Sequence, residues 1–404
     1  MTPDAPTNRR FFLDWLRIAA FGLLVLYHVG MYFVPWDWHV KSPQTVVALE
    51  PWMRLTNPWR MSLLFLLSGA ATAWMLARPA STSASVLRDR SRRLLLPLLL
   101  GVALIVPPQS YFEVLDKTGY AGSYRQFLGL YFSGHGGFCP GGRCIVLPTW
   151  NHLWFLPYLW CYTVVLVALP PRWLGRAAAA LDALPSWALL LLPALLLAVL
   201  RVTLLDRFRP THALIDDPLQ HASFGFMFLL GAALAMRPAL FMRLRALRWP
   251  ALGLALAAWA LPMGVDGPAS PGLRTALRGA YACMQWTAIV AALGFAQRHL
   301  DRDHRWRAPL NEAVFPVYLV HQTLNIGLAV GLRPLDLSPG LKSLLIIGGT
   351  LLGSLLFWRL ARHSGGLRPW LGLPIKDPWR DTRSLQPGTT DDAERPGHAL
   401  RRDR

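Results

Sequence analysis

The sequence predicts an all-α fold, a polytopic integral membrane helix bundle of about ten transmembrane helices, and two observations support this prediction. Hydrophobic residues make up 53% of the 404-residue chain and charged residues only 16%, whereas a soluble protein usually carries about a quarter charged residues. The apolar residues are also concentrated in blocks such as LLLPLLLGVALIV (94–106) and ALLLLPALLLAVL (188–200). Because a span in lipid must satisfy its own backbone hydrogen bonds, blocks of this length are expected to be α-helices.

Ten apolar blocks follow one another along the chain, and each is predicted to be a membrane-spanning helix. The blocks are 11–33, 61–77, 94–108, 153–169, 184–200, 222–236, 250–265, 279–297, 313–332 and 341–360. The block at 94–108 is short, and the block at 250–265 is interrupted by proline. No period of about 20–50 residues repeats along the chain, which argues against a solenoid.

One transmembrane domain, 11–360, is expected between a short cytoplasmic N-terminus, 1–10, and a cytoplasmic tail, 361–404. The tail is polar, contains prolines and carries both signs of charge, a composition that predicts disorder. The first apolar block ends in MYFVPWDW without a small-residue cleavage site, so we expect it to remain as a membrane anchor. We assume a bacterial inner (cytoplasmic) membrane as the location.

The net charge of +19 follows the predicted topology rather than a nucleic-acid site. If the N-terminus is cytoplasmic and the spans alternate, roughly twice as many Lys and Arg residues fall inside as outside. This bias supports an N-in, C-in orientation and predicts contact with anionic lipid headgroups. We therefore expect membrane lipids, and no nucleic acid, among the partners of the chain.

The four cysteines fall into two groups. Cys161 and Cys283 lie in predicted spans, where a thiol packs as a small apolar side chain. Cys139 and Cys144, in GGFCPGGRCIV, lie in a long loop that is predicted to face outward. An oxidising compartment permits a disulfide between them, and two unpaired thiols are the alternative. A zinc site is not expected, because no four-ligand cluster lies nearby.

The first span carries two polar residues in RIAAFGLLVLYH, Arg17 and His28, with ten almost purely apolar residues between them. Eleven helical steps give about 16 Å of rise and three turns plus about 20°, so both side chains lie on one face. In lipid, that face normally points into the bundle or a watery cavity. Arg17 can also snorkel to headgroups or pair with Asp14, and His28 can also be a buried neutral imidazole, but their shared face favours a function.

A guanidinium and an imidazole on one line suit a long ligand that occupies a single internal tunnel. Acyl-coenzyme A has anionic phosphates at one end, which an arginine binds well, and a narrow arm that ends in a thioester. Histidine, with an unperturbed pKa of about 6.5, suits the role of general base for an acceptor hydroxyl. Arg17 and His28 are therefore the candidate catalytic residues, and Asp14 is expected to steady Arg17.

The first span, RFFLDWLRIAAFGLLVLYH, resembles that of the membrane acyltransferase 3 family, which includes O-antigen and periplasmic-glucan acyltransferases. That family shows an arginine, ten residues and a histidine there, as Arg17 and His28 do. It also shows an Arg-x-x-Arg pair before its third span, which RDRSRRLLLP supplies as Arg90 and Arg93. Further similar segments are LLFLLSGAA (63–71), NHLWFLPYL (151–159) and PVYLVHQ (316–322). The resemblance covers about 11–360.

The resemblance implies an O-acyltransferase with a cytoplasmic acyl-CoA donor, an acceptor glycan on the far side of the membrane, and transfer that depends on a histidine. It implies donor binding by Arg90 and Arg93, although their spacing alone indicates ordinary cytoplasmic charge. Acetyl and succinyl groups both fit this description. No metal-ligand spacing stands out, so no metal is predicted.

Three further polar residues are candidates for binding the acceptor or for supporting His28. Asn151 and His152 lie at the outer mouth of the fourth span, where an interfacial polar cap is the alternative explanation. His321 lies mid-span, where a hydrogen bond between helices is the alternative. Ser68 and Gly69 are most simply explained by close helix packing.

Two other functions explain polar residues in spans. A transporter or flippase for a sugar or a lipid-linked substrate would use the same polar line as a path through the membrane. A structural membrane subunit without chemistry is the third reading, and the polar line argues against it.

Overall fold

The computed structural model describes residues 10–265 and 267–374, and these residues form helices, turns and loops without any strand. The α-helices are α1 Phe11–Phe33, α2 Glu50–Thr56, α3 Arg60–Leu76, α4 Ser83–Leu100, α5 Pro107–Thr118, α6 Tyr124–Phe132, α7 Phe155–Ala168, α8 Pro171–Ala183, α9 Ser186–Leu204, α10 Pro218–Met236, α11 Pro238–Ala246, α12 Arg248–Ala260, α13 Pro271–His299, α14 Arg307–Leu332 and α15 Pro339–Ala361. A π-helical turn, Gly101–Ile105, extends α4, and a 3₁₀ turn, Asn151–Trp154, leads into α7.

Seven of the described helices are long and apolar enough to cross a membrane, and the count rises to ten if each of three bent pairs forms one span. The bent pairs are Ser83–Ile105 with Pro107–Thr118, Asn151–Ala168 with Pro171–Ala183, and Pro238–Ala246 with Arg248–Gly264. Every predicted apolar block coincides with one of these helices or pairs. The all-α polytopic fold class is thereby confirmed.

The bends explain why three of the predicted blocks are short or irregular. The first pair bends by 44° where Pro107 begins α5, and the second bends by 99° where Pro170 and Pro171 separate α7 from α8. Proline cannot donate the backbone hydrogen bond that would continue a helix through these points. The first half of each of these two pairs therefore reads in the sequence as a short block, and the second halves, α5 and α8, read as loop.

Helix α1 lies inside the bundle, in contact with α3, α13, α14 and α15. The closest approach in the bundle is between α3 and α10, and glycine makes it possible on both sides. A Cβ atom on Gly69 would lie 1.9 Å from the carbonyl oxygen of Phe228, and one on Gly231 would lie 2.0 Å from that of Leu66. This geometry agrees with the sequence-based explanation of Ser68 and Gly69 as a packing contact.

The outer surface of the bundle is apolar where helices face away from their neighbours. On α15, Leu344, Leu352 and Leu360 are each about two-thirds exposed, and only 22% of the most apolar window of this helix is buried. An apolar helix surface of this extent is unusual next to water. Contact with lipid accounts for it.

The folded chain extends beyond residue 360, where the sequence analysis began a disordered tail. A 3₁₀ helix, Gly365–Leu371, follows α15 and packs against α4. Arg368 is 5% exposed, lies 3.7 Å from Glu312 and donates hydrogen bonds to the carbonyls of Arg362 and Pro374. The basic residues here thus build structure, which corrects the predicted boundary. The predictions for 1–9 and 375–404 lie outside the described residues.

The loop between α6 and α7 carries a disulfide between Cys139 and Cys144. The alternative of two unpaired thiols in this loop is therefore not what the structure shows. Beside the disulfide, Phe138 packs with Phe127 and Tyr131 in a small apolar cluster. Cys161 and Cys283 are free and partly buried.

Candidate active site

Two internal cavities lie along α1, and each contains one of the two polar residues of that helix. The cavity that contains His28 has a volume of about 630 Å³ and is also lined by His39, His152 and His212; we call it the histidine cavity. The cavity that contains Arg17 has a volume of about 760 Å³; we call it the arginine cavity. Its five arginines are Arg10, Arg17, Arg78, Arg90 and Arg93. The helical face predicted for Arg17 and His28 therefore does point into the bundle.

The arginine cavity combines residues from α1, α3, α4, α7 and α14. Asp14 is the sole acidic residue among the described residues that line it. Arg90 and Arg93 face it together because three residues along a helix return to nearly the same face, and Arg88 and Arg92 do not line it. The sequence-predicted pair is thus joined to Arg17 in one strongly positive cavity.

Individual arginines of this cavity are held by different groups. Arg90 is 9% exposed, and its Nη2 donates to the Ser68 carbonyl at 3.2 Å and to the Thr72 hydroxyl. The Arg90 Nε has no hydrogen-bond partner among the described residues. At the start of α1, burial lowers the pKa of Arg10, and nearby Asp301 only partly offsets this effect. Cations crowded together in this way are stabilised by an anionic ligand.

Asp14 is in ion-pair contact with Arg17, as the sequence predicted, but it lies much closer to Arg307. Its Oδ2 lies 2.6 Å from Nη1 of Arg307, whereas its Oδ1 lies 4.0 Å from Nη1 of Arg17. Arg307 also contacts Asp303 at 2.7 Å and is 4% exposed. Arg17 instead donates to Oδ1 of Asn311 at 3.3 Å. The pairing with Arg307 could not be read from the sequence because Arg307 lies 293 residues from Asp14.

His28 and His321 form a stacked pair at the wall of the histidine cavity. Nδ1 of His28 lies 2.9 Å from Nε2 of His321, and the rings are nearly parallel at 8° with centroids 5.1 Å apart. Nδ1 of His321 lies 2.7 Å from the carbonyl oxygen of Tyr318. His321 is fully buried and lines neither cavity. His321 therefore contacts His28 but is not exposed in either cavity.

The hydrogen bonds of this pair fix the positions of the ring protons. A carbonyl oxygen only accepts, so Nδ1 of His321 must donate to Tyr318, and in neutral imidazole Nε2 of His321 then accepts. His28 must therefore donate from its own Nδ1, which leaves Nε2 of His28 unprotonated. That nitrogen makes no hydrogen bond within the described residues, and His28 lines the cavity. The structure thus presents a free basic nitrogen to the histidine cavity.

His152 and Asn151 are held in a polar network rather than left free to act as bases. Nε2 of His152 bonds the carbonyl of Leu319 at 3.1 Å, and its Nδ1 lies 3.4 Å from the amide nitrogen of Gln109. Asn151 donates to the other end of Gln109 at 3.3 Å. Both lie on the histidine cavity, and the His152 ring meets that of His321 edge-on. Gln109, which sequence analysis missed, therefore organises this wall.

The two cavities meet at Tyr318, which is the one described residue that lines both. Its hydroxyl donates to the carbonyl of His152 at 2.7 Å, and its ring packs edge-on against Phe21 and Phe155. The sequence analysis expected a single tunnel. The structure instead has two cavities with an aromatic barrier between them, which only the packing of three distant helices could reveal.

A second histidine at the edge of the histidine cavity is paired with a carboxylate. Nδ1 of His39 lies 2.5 Å from Oε2 of Glu113, and Lys117 contacts the other oxygen of Glu113 at 2.9 Å. Further along the rim, burial lowers the pKa of His212, and nearby Asp217 opposes this shift. Sequence reasoning passed over His39 because it lies in a loop, outside any apolar block. Among the described residues, no group of three or more His, Cys, Asp or Glu side chains is placed to hold a metal ion.

The sequence was compared with known protein families, curated proteins and solved structures. The family model for the acyltransferase domain matches residues 10–359. The chain is similar to glucans biosynthesis protein C of Escherichia coli O6:K15:H31 (strain 536 / UPEC), with 26% identity over 163 residues. This alignment covers 40% of the chain and 39% of the E. coli protein. No solved structure matches the chain.

Proposed function

The chain belongs to the acyltransferase domain family, and on this premise we propose that it transfers an acyl group from cytoplasmic acyl-coenzyme A to a hydroxyl of an extracytoplasmic glycan. Family membership makes it an acyltransferase, and its apolar helices make it a multi-pass membrane protein. The proposal adds the donor, the acceptor, the general base and a bacterial inner membrane. It depends above all on the free Nε2 of His28, in a cavity that meets the arginine cavity at Tyr318.

The arginine cavity supports acyl-coenzyme A as the donor. Coenzyme A carries several phosphate charges, and guanidinium groups bind phosphates through paired hydrogen bonds. Arg17, Arg90 and Arg93 line this cavity together, and its wall reaches Tyr318. With the phosphates held by these arginines, the pantetheine arm would point its thioester toward Tyr318 and the histidine cavity. An N-in orientation, which the distribution of Lys and Arg supports, would put the arginine cavity at the cytoplasmic face, where the donor is made.

The proposed chemistry is direct transfer with His28 as general base. Nε2 of His28 takes the proton of the acceptor hydroxyl as its oxygen attacks the thioester carbonyl. A carbon–oxygen bond forms, and the carbon–sulfur bond breaks when the tetrahedral centre collapses. The imidazolium of His28 then protonates the departing thiolate, so free coenzyme A and an ester are the products. His321 holds the Nδ1 proton of His28 throughout and acts as a positioning residue.

The histidine cavity supports a glycan as the acceptor. Three tryptophans line it, Trp38, Trp150 and Trp154, together with polar side chains that include Asn57 and Gln220. Flat aromatic faces and scattered amides suit the alternating apolar and hydroxyl surfaces of a sugar. The E. coli relative is named for glucan biosynthesis, which supports a glucan-type acceptor.

The proposal is tested with purified protein in lipid nanodiscs, radiolabelled acetyl- or succinyl-coenzyme A and a glucan oligosaccharide. We expect labelled glucan and one free coenzyme A per ester formed. His28→Ala should lower kcat by roughly 10²- to 10⁴-fold, the usual contribution of a general base. His363→Ala, at an exposed histidine beyond α15, is the matched control. Full transfer by the His28→Ala protein would remove the assigned role.

A transporter or flippase is the second candidate, and the barrier between the cavities is the observation that favours it. Two cavities divided by one barrier are also what alternating access requires. The nanodisc experiment, together with the same protein in sealed liposomes, separates the two functions. Release of coenzyme A with formation of a glucan ester supports the enzyme, whereas movement of an unmodified sugar across liposomes without coenzyme A release supports the transporter.

A further inference from the structure

Two arginines in the histidine cavity have no acidic partner. Arg60 of α3 and Arg201 of α9 both line this cavity, with Tyr27 and Tyr281 beside them. Neither arginine lies within 4.0 Å of a carboxylate among the described residues. Asp37, the acidic residue that lines this cavity, pairs with Lys117 at 3.1 Å instead. The proposed acyl-transfer chemistry uses neither arginine.

The surroundings of Arg60 leave part of its guanidinium unbonded although the residue is only 9% exposed. Its Cζ lies 3.3 Å above the ring of Tyr27, and its Nη1 donates to Asn57 at 3.0 Å. Its Nε is buried without a partner, and its Nη2 makes no hydrogen bond to the described residues. A buried cation in this condition has lost water without gaining an opposite charge.

Arg201, which lines the same cavity, repeats this arrangement. Its Cζ lies 3.6 Å above the ring of Tyr281, and its Nε is buried without a partner. Its two terminal nitrogens make no hydrogen bond to the described residues. A cation over an aromatic face is oriented by the ring, but the ring does not satisfy the N–H groups at its edge. Both guanidinium groups are therefore oriented, and each has a buried Nε without an acceptor among the described residues.

Two other arginines, Arg278 and Arg333, do have carboxylate partners. Arg278 lies on α13, the helix of Tyr281, and contacts both oxygens of Asp206 at 2.7 and 2.5 Å. Arg333 contacts Asp116 at 2.6 Å. Arg278 and Arg333 thus have carboxylate partners, whereas Arg60 and Arg201 have none among the described residues. The missing acceptor at Arg60 and Arg201 is one that a bound molecule would bring.

We propose that Arg60 and Arg201 form an anion-binding subsite of the histidine cavity, which holds a carboxylate or phosphate of a substrate while that substrate reacts at His28. The proposal rests on the function proposed above and adds a substrate class to it. One chemistry fits the subsite, an anion that accepts several N–H bonds. Its source is either the distal carboxylate of a dicarboxylic acyl group or an acidic substituent on the acceptor glycan.

Kinetics with matched substrates identify the source. Wild type, Arg60→Gln, Arg201→Gln and Arg207→Gln are compared, because Arg207 is an exposed arginine just after α9 that lines no cavity. Loss of charged hydrogen bonds should raise KM for the anionic substrate roughly 10- to 100-fold. A rise for succinyl- but not acetyl-coenzyme A assigns the acyl carboxylate, and a rise for a phosphorylated but not a neutral glucan assigns the acceptor. If KM rises equally for the anionic and the neutral member of both substrate pairs, the proposed subsite is overturned.

A binding measurement keeps the test independent of catalysis. Thermal unfolding is followed with succinate, with glucose 1-phosphate and with glucose, for wild type, Arg60→Gln, Arg201→Gln and Arg90→Gln. We expect the anions, and not glucose, to raise the Tm of wild type, with the increase reduced in Arg60→Gln and Arg201→Gln, whereas Arg90→Gln reports the share of the increase that comes from anions in the arginine cavity. An increase lost only in Arg90→Gln, or absent from wild type, overturns the proposal. If Arg60→Gln does not fold, the comparison is made with Arg60→Lys and with Arg201→Gln, since Arg201 is partly exposed. Failure of all acyl transfer alongside a retained anion effect would reject the proposed function alone.

Discussion

His321 lines neither cavity, yet its hydrogen bond decides which nitrogen of His28 is left free at the histidine cavity. The order of acceptors and donors from the Tyr318 carbonyl through His321 to His28 leaves only Nε2 of His28 as a base. If His321 were replaced by a side chain that cannot accept, Nδ1 of His28 would lose its partner and the ring could turn or change tautomer. The general base would then be present but misaligned.

We therefore expect His321→Leu to lower kcat by about 100-fold or more with little change in the KM for the donor. His321→Gln should restore part of the activity, because its amide can donate to the Tyr318 carbonyl while its oxygen accepts from His28. Steady-state kinetics and the pH–kcat profile of the three proteins provide the measurement. A His321→Leu enzyme with the kcat and pH profile of wild type would show that His321 is only a packing residue.

At the other end of α1, substitutions at Asp14, Arg307 and Arg17 distinguish residues that stabilise the fold from a residue that is proposed to bind the donor. Asp14→Asn and Arg307→Gln each remove the ion pair between Asp14 and Arg307, so each should lower the free energy of unfolding by about 1–3 kcal/mol. Arg17→Gln should leave Tm nearly unchanged and raise the KM for acyl-coenzyme A. Thermal unfolding and donor titration of the three variants test this division. A Tm loss confined to Arg17→Gln would show that the contact of Asp14 with Arg17 is the stabilising one.

Local spacing was enough to predict some of the site residues but not others. Arg17 with His28, and Arg90 with Arg93, each lie on one helix, so the helical repeat alone places each pair on a common face. Arg60 lies on α3 and Arg201 on α9, and only the folded bundle brings both to one cavity. In the sequence, each is simply a basic residue at the end of an apolar block. The tautomer of His28 depends on a carbonyl group, which no sequence pattern marks.

At the scale of helices, the contact between α3 and α10 depends on two glycines that leave no room for a methyl group. Gly69→Ala and Gly231→Ala would each place Cβ about 2 Å from a backbone carbonyl of the facing helix, so the helices must separate. Overpacking of this kind usually costs about 1–3 kcal/mol, and we expect a Tm several degrees lower for each variant.

Gly253→Ala in α12 is the matched control, because no atom lies within 4 Å of its added Cβ, and alanine favours a helix over glycine. Its Tm should equal or exceed that of wild type. Thermal unfolding in one detergent compares the three variants. If Gly69→Ala and Gly231→Ala unfold at the same temperature as Gly253→Ala, the close contact does not stabilise the bundle.

The positions of the apolar spans were largely predictable from the sequence, whereas the breaks within them were not. Each apolar block became a helix because lipid leaves no other way to satisfy the backbone. The bends at Pro107 and Pro171 divide spans into halves, and the second halves, α5 and α8, were read as loop. α5 carries Gln109 and Glu113, so the missed halves also hid two groups at the histidine cavity. Hydropathy alone does not distinguish a bent span from a short one.

Across the whole molecule, the two cavities and the residue between them define what the protein must do during turnover. Under the proposed function, donor phosphates in the arginine cavity and the base His28 in the histidine cavity lie on opposite sides of Tyr318. The reacting thioester must therefore pass the aromatic barrier formed by Tyr318, Phe21 and Phe155. The barrier also keeps acceptor-side water away from the donor, which protects the thioester from hydrolysis.

Substitutions at Tyr318 separate these two roles of the barrier. Tyr318→Phe keeps the ring and loses only the hydrogen bond to the His152 carbonyl, so transfer should fall no more than about tenfold and remain coupled to the acceptor. Tyr318→Ala removes the ring and joins the cavities, so water should reach the thioester and coenzyme A should be released without acceptor. The ratio of coenzyme A released to ester formed is the measurement. It should stay near one for wild type and Tyr318→Phe and rise well above one for Tyr318→Ala. A ratio near one for Tyr318→Ala would mean that the donor never crosses at this residue, and the path of the thioester would have to be sought elsewhere in the bundle.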